Sequence, residues 1–174
     1  LSVILKAEPK YNDCLYVARN LRERDQEEIY ATKYNPNPEA LAKEAVNSGA
    51  FRWCAYYEGR PVALIGALPR WPGVWSVWAY GTDEWSKVIV SLTRHVRRFM
   101  TPAIFNAGAH RVDACALASH TDARKWLRLL GANQEETLES WGKNGENFVC
   151  HVWTREKTKR LIDKIDSRQR NAHR

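Results

Sequence analysis

Apolar residues along this chain recur with two periods, and the changes from one period to the other divide it into elements. Phe51 to Tyr57 and Pro61 to Leu68 are strand-like runs, and Glu58-Gly59-Arg60 between them signals a hairpin. Val74 to Tyr80 reads as a third strand, with Trp75 and Trp78 on opposite faces. Ser2 to Leu5, Arg111 to Leu117, Gln134 to Trp141 and Phe148 to Trp153 also read as strands. The turn Gly142-Lys143-Asn144-Gly145 joins the last two. Helical spacing appears in Leu15, Val17, Ala18 and Leu21 behind a cap at Asn12 or Asp13. It recurs in Leu41, Ala42 and Ala45 after Pro38, ending at Asn47-Ser48-Gly49.

The longest helical pattern starts from a cap at Thr82 or Asp83. Its inner stripe is Trp85, Val88, Ile89, Leu92, Val96 and Phe99, with Arg94, Arg97 and Arg98 outward and His95 packed beside the stripe. Pro102 is expected to stop or kink it. A last helix, about Thr121 to Leu130, is closed by Gly131. The order β, α, α, β, β, β, α, β, α, β, β predicts an α/β domain with a mixed sheet over residues 1–153, followed by a basic helix or tail over 154–174.

At 174 residues the chain suits one domain that folds without a metal or disulfide. Its apolar runs are too short for a membrane span, and residues 1–10 lack a basic-then-apolar signal pattern. Cys14, Cys54, Cys115 and Cys150 form no metal-binding spacing and read as small apolar packing residues in a reducing compartment. The net charge is +7, and residues 154–174 hold +5 of it.

That tail, with Arg160, Lys164, Arg168 and Arg170, reads either as an arm for phosphates or acidic protein patches or as a solubilising end. Leu161, Ile162 and Ile165 favour its docking on a surface. With the Arg94, Arg97 and Arg98 face, the arm is a candidate contact for a partner or for sequence-independent nucleic-acid binding. Trp71-Pro72-Gly73 reads as an exposed loop, which makes Trp71 a candidate partner contact.

The segment Ala116 to Ala132 carries the most specific pattern, a strand followed by a helix with Ala123, Trp126, Leu130 and Gly131 in place. With the element order, it resembles the GNAT (Gcn5-related N-acetyltransferase) fold, in which helices flank a mixed sheet. The resemblance implies acetyl-CoA bound at a loop written R/Q-x-x-G-x-G/A before the long helix. Its glycines let backbone N–H groups converge on the diphosphate. Here that segment is Tyr80-Gly81-Thr82-Asp83-Glu84-Trp85, with one glycine and two carboxylates. The tyrosine that serves many such enzymes as general acid falls on Leu127.

Three residues remain as catalytic candidates. Glu84 reads as a general base or a helix cap, His120 as an acid–base group or a cap, and Tyr80 as a hydroxyl at the strand end.

Trp75, Trp78, the arginine face and Trp126-Leu127 through Gly131-Ala132 also resemble GNAT-like internal virion and virion-associated proteins of short-tailed bacteriophages. That resemblance implies a structural or assembly role in a virion put together in the host cytoplasm. Other virion proteins and packaged DNA would be the partners, several copies could assemble, and neither cofactor nor metal is called for. The alternative is a divergent acetyl-CoA-dependent N-acyltransferase, its phosphates held by the Gly81 and Thr82 amides with Arg124 or Lys125. The second alternative is nucleic-acid binding alone.

Overall fold

Among the described residues, seven strands form one sheet in the order β1-β2-β3-β4-β5-β7-β6. They are β1 (Val3–Ala7), β2 (Phe51–Tyr57), β3 (Arg60–Trp71), β4 (Val74–Gly81), β5 (Arg111–Leu117), β6 (Asn133–Leu138) and β7 (Phe148–Thr154). The computed structural model describes residues 2–49, 51–158 and 160. The apolar stripe at Leu161, Ile162 and Ile165 lies outside the described residues, as do Lys164, Arg168 and Arg170. What precedes them is docked: the Arg155 guanidinium donates to the carbonyls of Phe105 and Ala109, and Thr158 is buried.

Only β4 and β5 run parallel, and they pair at just three positions: Val74 with Arg111, Trp75 with Val112 and Ser76 with Asp113. Beyond Ser76 and Asp113 no pairing continues, so a gap opens between the C-terminal halves of the two strands. A parallel pair needs a long crossover. It is supplied by α4 (Trp85–His95), a π-helical stretch (Val96–Met100) and α5 (Thr101–Asn106).

Three features depart from the sequence reading. The crossover helix continues past Pro102, because the amide of Thr101 bonds back to the Val96 carbonyl in the wider π register. Pro102 then falls in the first turn of α5, where its missing N–H costs little. The same extra residue turns Phe99 out of the inner stripe to 63% exposure, while Val96 and Met100 face the core.

The third departure is a helix absent from the predicted order. Besides α1 (Tyr11–Arg19), α3 (Pro38–Asn47) and α6 (Thr121–Leu129), the chain forms α2 (Glu23–Tyr30). Its sequence ERDQEEIY has no apolar stripe.

The sheet's alternation sends side chains to two cores. Ala63, Ile65, Val77, Ala79, Val112 and Ala114 meet Val88, Leu92 and Val96 of the crossover. Cys54, Leu64 and Tyr80 meet Cys14, Val17, Leu41 and Ala45 of α1 and α3. Gly66 lies opposite Trp78 in the β3–β4 ladder, and the indole occupies the space that a Cβ at 66 would need. Trp71 ends β3 and is 58% exposed before the Pro72-Gly73 turn, where Gly73 takes φ +82°. Among the described residues, no helix is long and apolar enough to cross a membrane.

Candidate active site

The helix with no apolar stripe lies over the end of the gap. Its entry is tied to β4 by the Leu21–Thr82 bridge and by the Arg22 amide, which donates to the Gly81 carbonyl at 3.0 Å. Asp25 and Glu28, three residues apart, share one face of α2. The Asp25 carboxylate, 4% exposed, accepts the Gly81 amide at the end of β4 at 2.7 Å. The Glu28 carboxylate accepts the Leu117 amide at the end of β5, also at 2.7 Å.

Asp25 is held from three sides. Arg22 grips it with two hydrogen bonds of 2.6 and 3.0 Å, and its guanidinium lies over the Trp85 ring at 4.5 Å from the centroid. His120 stands 3.1 Å away and is 2% exposed. Its Nδ1 accepts the Ala123 amide as the N-cap of α6, so Nε2 carries the proton and donates to Asp25. The bond to Asp25 holds the His120 pKa above its ordinary value. Accepting the Ala123 amide at Nδ1 opposes protonation, and the residue serves first as a buried cap.

Glu28 is half-buried, and loss of water around its carboxyl pushes its pKa up to about 7. The Leu117 amide and His120 pull in the other direction and lose to desolvation. The carboxyl borders two open spaces. A groove of about 660 Å³ runs between α4 and α6, lined by Asp83, Trp85, Ser86, Asp122, Lys125 and Trp126. A cleft of about 550 Å³ lies on the α3 side of the sheet, lined by Glu28, Lys33, Glu44, Trp78, Tyr80 and Cys115. Between the splayed strands, Val77, Ala79, Ala114 and Leu127 border a small apolar cavity of about 60 Å³. Trp126 also lines it, donating through Nε1 to Thr93 at 2.9 Å and standing edge-on to Trp85.

Of the residues singled out in the sequence, Tyr80 lies in the cleft and His120 in the network behind Glu28. Glu84 stands apart, ion-paired to Arg60 at 2.9 Å. It occupies the N-cap position of α4 without a side-chain cap bond, and its own amide donates to Thr82 Oγ1. Arg124 is turned to the Ala118 carbonyl and to Gln134, away from the groove, whereas Lys125 lines it, 3.9 Å from Asp122.

The proposed phosphate donors Gly81 and Thr82 are both engaged: Gly81 by Asp25, and Thr82 by the Val62 carbonyl at 2.8 Å. Arg97 is not an outward cation, since its guanidinium donates to the Leu129 carbonyl and clasps the π-helical stretch to α6. Arg94 and Arg98 are exposed, and Arg160 pairs with Glu156. Cys115 is exposed rather than packed away, facing Cys150 across the β5–β7 ladder. Among the described residues, no group of three His, Cys, Asp or Glu side chains is placed to hold a metal ion.

Asp25 and Glu28 escaped sequence reasoning because their helix did. The remaining signal was the i, i+3 acidic pair in an unusually polar stretch.

No protein-family profile matches the chain, and no curated protein sequence does. Solved structures do match. The aminoglycoside acetyltransferase AAC(6')-Ib, in complex with ribostamycin and coenzyme A, is 18% identical with a TM-score of 0.66. The match covers 92% of this chain and 97% of that one. An acetyltransferase of the GNAT family from Bacillus anthracis is 12% identical with a TM-score of 0.64, over 88% of this chain and 95% of that one. The split β4–β5 pair, the crossover helix and the closing β6–β7 hairpin together give this chain the GNAT, acyl-CoA N-acyltransferase-like, fold.

Proposed function

We propose that the chain is a divergent N-acyltransferase that takes an amine in the cleft beside Glu28. The observation that carries this reading is the Glu28 carboxyl at the gap between β4 and β5, bordering both the groove and the cleft. A carboxyl with a pKa of about 7 is matched to removing a proton from an ammonium group near neutral pH. Asp25 positions it indirectly, because the two carboxylates sit one turn apart on the helix that both of them anchor. The neighbour AAC(6')-Ib was solved in complex with ribostamycin and coenzyme A, which supports an acyl-CoA donor and a separate acceptor for this chain.

The fold implies an acyl-CoA donor, and the residues meet half of its needs. The apolar strand gap, walled by Val77, Ala79 and Ala114, has room for a small acyl group. The usual diphosphate cradle is not there. The amides of Gly81, Thr82, Glu84 and Trp85 are all bonded within the protein, and Asp83 and Asp122 bring negative charge to the groove. Among the described residues, Arg22 and Lys125 are the cations that line the groove.

The second reading is a scaffold without catalysis, such as the virion assembly role expected from the sequence. It is favoured by the Asp25 carboxylate on the Gly81 amide, an internal anion at the loop where the fold binds an external one. One experiment separates the two. The protein is incubated with acetyl-CoA and a panel of small amines, and acetylated product is sought by mass spectrometry. Product that depends on the folded protein supports acyl transfer. No product, and no thermal shift at millimolar acetyl-CoA, supports the scaffold.

A further inference from the structure

We infer that Cys115 and Cys150 are a dithiol modification site, closed by a peroxide into an intramolecular disulfide that reductants reopen. The site is independent of the acyl-transfer reading. The two residues face each other in the β5–β7 ladder, whose register runs without a shift from Arg111–Thr154 to Leu117–Phe148. Just beyond its ends, the Ala118 amide donates to the Asn147 carbonyl at 2.8 Å and the Arg155 amide to the His110 carbonyl at 3.2 Å. Those bonds mark hydrogen-bonded pairs, which recur at every second residue of an antiparallel ladder, so Cys115 and Cys150 fall at a non-hydrogen-bonded position. At such positions opposing Cα atoms lie about 4.5 Å apart and the side chains approach most closely. Disulfides span Cα separations of about 4.4–6.8 Å, so the bridge closes within the native register.

Cys115 is exposed and lines the cleft beside Glu28, and Cys150 is half-buried. Cys14 and Cys54 are sealed in the core beneath α1 and α3. A peroxide therefore meets Cys115 first. It oxidises that thiol to a sulfenic acid and is itself reduced, leaving one water. The Cys150 sulfur then attacks the Cys115 sulfur: the S–S bond forms, the S–O bond breaks, and the hydroxyl leaves with the Cys150 proton as a second water. Loss of water around the sulfur pushes the Cys115 thiol up to about 12 and raises that of Cys150 as well. Both rest as neutral thiols, so the bridge forms slowly, on the order of hours, and geometry rather than thiolate reactivity selects the pair. Leu117, two residues beyond Cys115, gives its amide to Glu28, so the bridge ties to β7 the end of β5 that holds this carboxyl.

The reduced full chain is treated with hydrogen peroxide, its remaining thiols are alkylated, and it is digested without reductant for mass spectrometry. A peptide pair joining Cys115 to Cys150, two hydrogens lighter than the separate thiols and released by dithiothreitol, is expected. The bridge constrains the unfolded chain, so the oxidised protein should melt roughly 5 °C or more above the reduced one. Phenylarsine oxide, which condenses with two adjacent thiols and releases water, should add once to the reduced chain. Cys115→Ser and Cys150→Ser should each lose that adduct, and Cys150→Ser should leave Cys115 as a sulfenic acid that dimedone traps.

Cys115 driven to a sulfinic acid while Cys150 stays free would overturn the inference, as would a bridge to Cys14 or Cys54. A dimer linked through Cys115 would also overturn it. An oxidised protein that melts no higher than the reduced one would show that the ladder must distort to close the bridge, against the inference. The peptide map of the wild type decides the matter even if a serine variant fails to fold.

Discussion

Asp25 and Glu28 stand one helical turn apart, and each accepts the last backbone amide of a different strand: Gly81 of β4 and Leu117 of β5. These two strands separate after Ser76 and Asp113, so the ladder no longer satisfies their ends. The helix α2 supplies the missing acceptors from its side chains and thereby spans the gap. This places a half-buried carboxyl where a donor and an amine could meet.

Replacing Asp25 by Ala should be costly. It leaves the Gly81 amide, the Arg22 guanidinium and His120 without their common partner. Breaking a buried charged contact of this kind costs about 3 kcal/mol or more, which urea unfolding would measure. If the carboxylate also guards the loop, the variant should bind phosphate better than the wild type in calorimetry.

Glu28→Gln should be stabilising in base and neutral in acid. The folded-state pKa of about 7 lies above the ordinary 4.5, so ionising Glu28 weakens the fold as pH rises through that window. Gln still accepts the Leu117 amide and carries no charge. A gain of order 1 kcal/mol at pH 8 that vanishes at pH 4 is expected from paired urea titrations, reduced by the partial exposure of the group.

Gly66→Ala places a methyl group where the Trp78 ring lies. The loss should be about 1–3 kcal/mol, the usual range for overpacking. Trp78→Leu in the same chain should recover much of it, since the clash is with the indole. Additive losses in the double variant would place the cost elsewhere.

His151 is fully buried, its Nδ1 bonded to the Val149 carbonyl and its Nε2 without a partner among the described residues. Burial lowers its pKa below 6.5, so the unfolded chain takes up the proton first as pH falls. The part of the stability that depends on His151 is therefore present above about 6.5 and lost below it. His151→Leu should flatten the pH dependence between 7 and 5 relative to the wild type. An unchanged slope would show that another group sets it.

Most of the sheet was legible in the sequence because its strands carry dense apolar runs, as Phe51 to Tyr57 and Val74 to Tyr80 do, and because turns such as Glu58-Gly59-Arg60 separate them, whereas the polar edge strand β6 ends at Leu138 and not at Trp141 as expected. His120 as a cap was legible from its place between a strand and a helix. The site was much less so. The helix α2 is held by hydrogen bonds from Asp25 and Glu28 to strands 56 and 89 residues away, and no local pattern encodes such contacts. Phe99 was misplaced for a related reason: one residue of π-helix shifts the register in a way a 3.6-residue period cannot show.

The most direct test of acyl transfer at the strand gap is the pH profile of N-acetylation by the wild type and by Glu28→Gln. The wild-type kcat/KM should rise with pH through about 7 as the Glu28 carboxyl loses its proton. The Gln variant should be folded, bind the amine more weakly, and lack that limb. Transfer of equal rate and equal pH dependence in both proteins would contradict the role given to Glu28, and no transfer by the wild type would contradict the reaction itself.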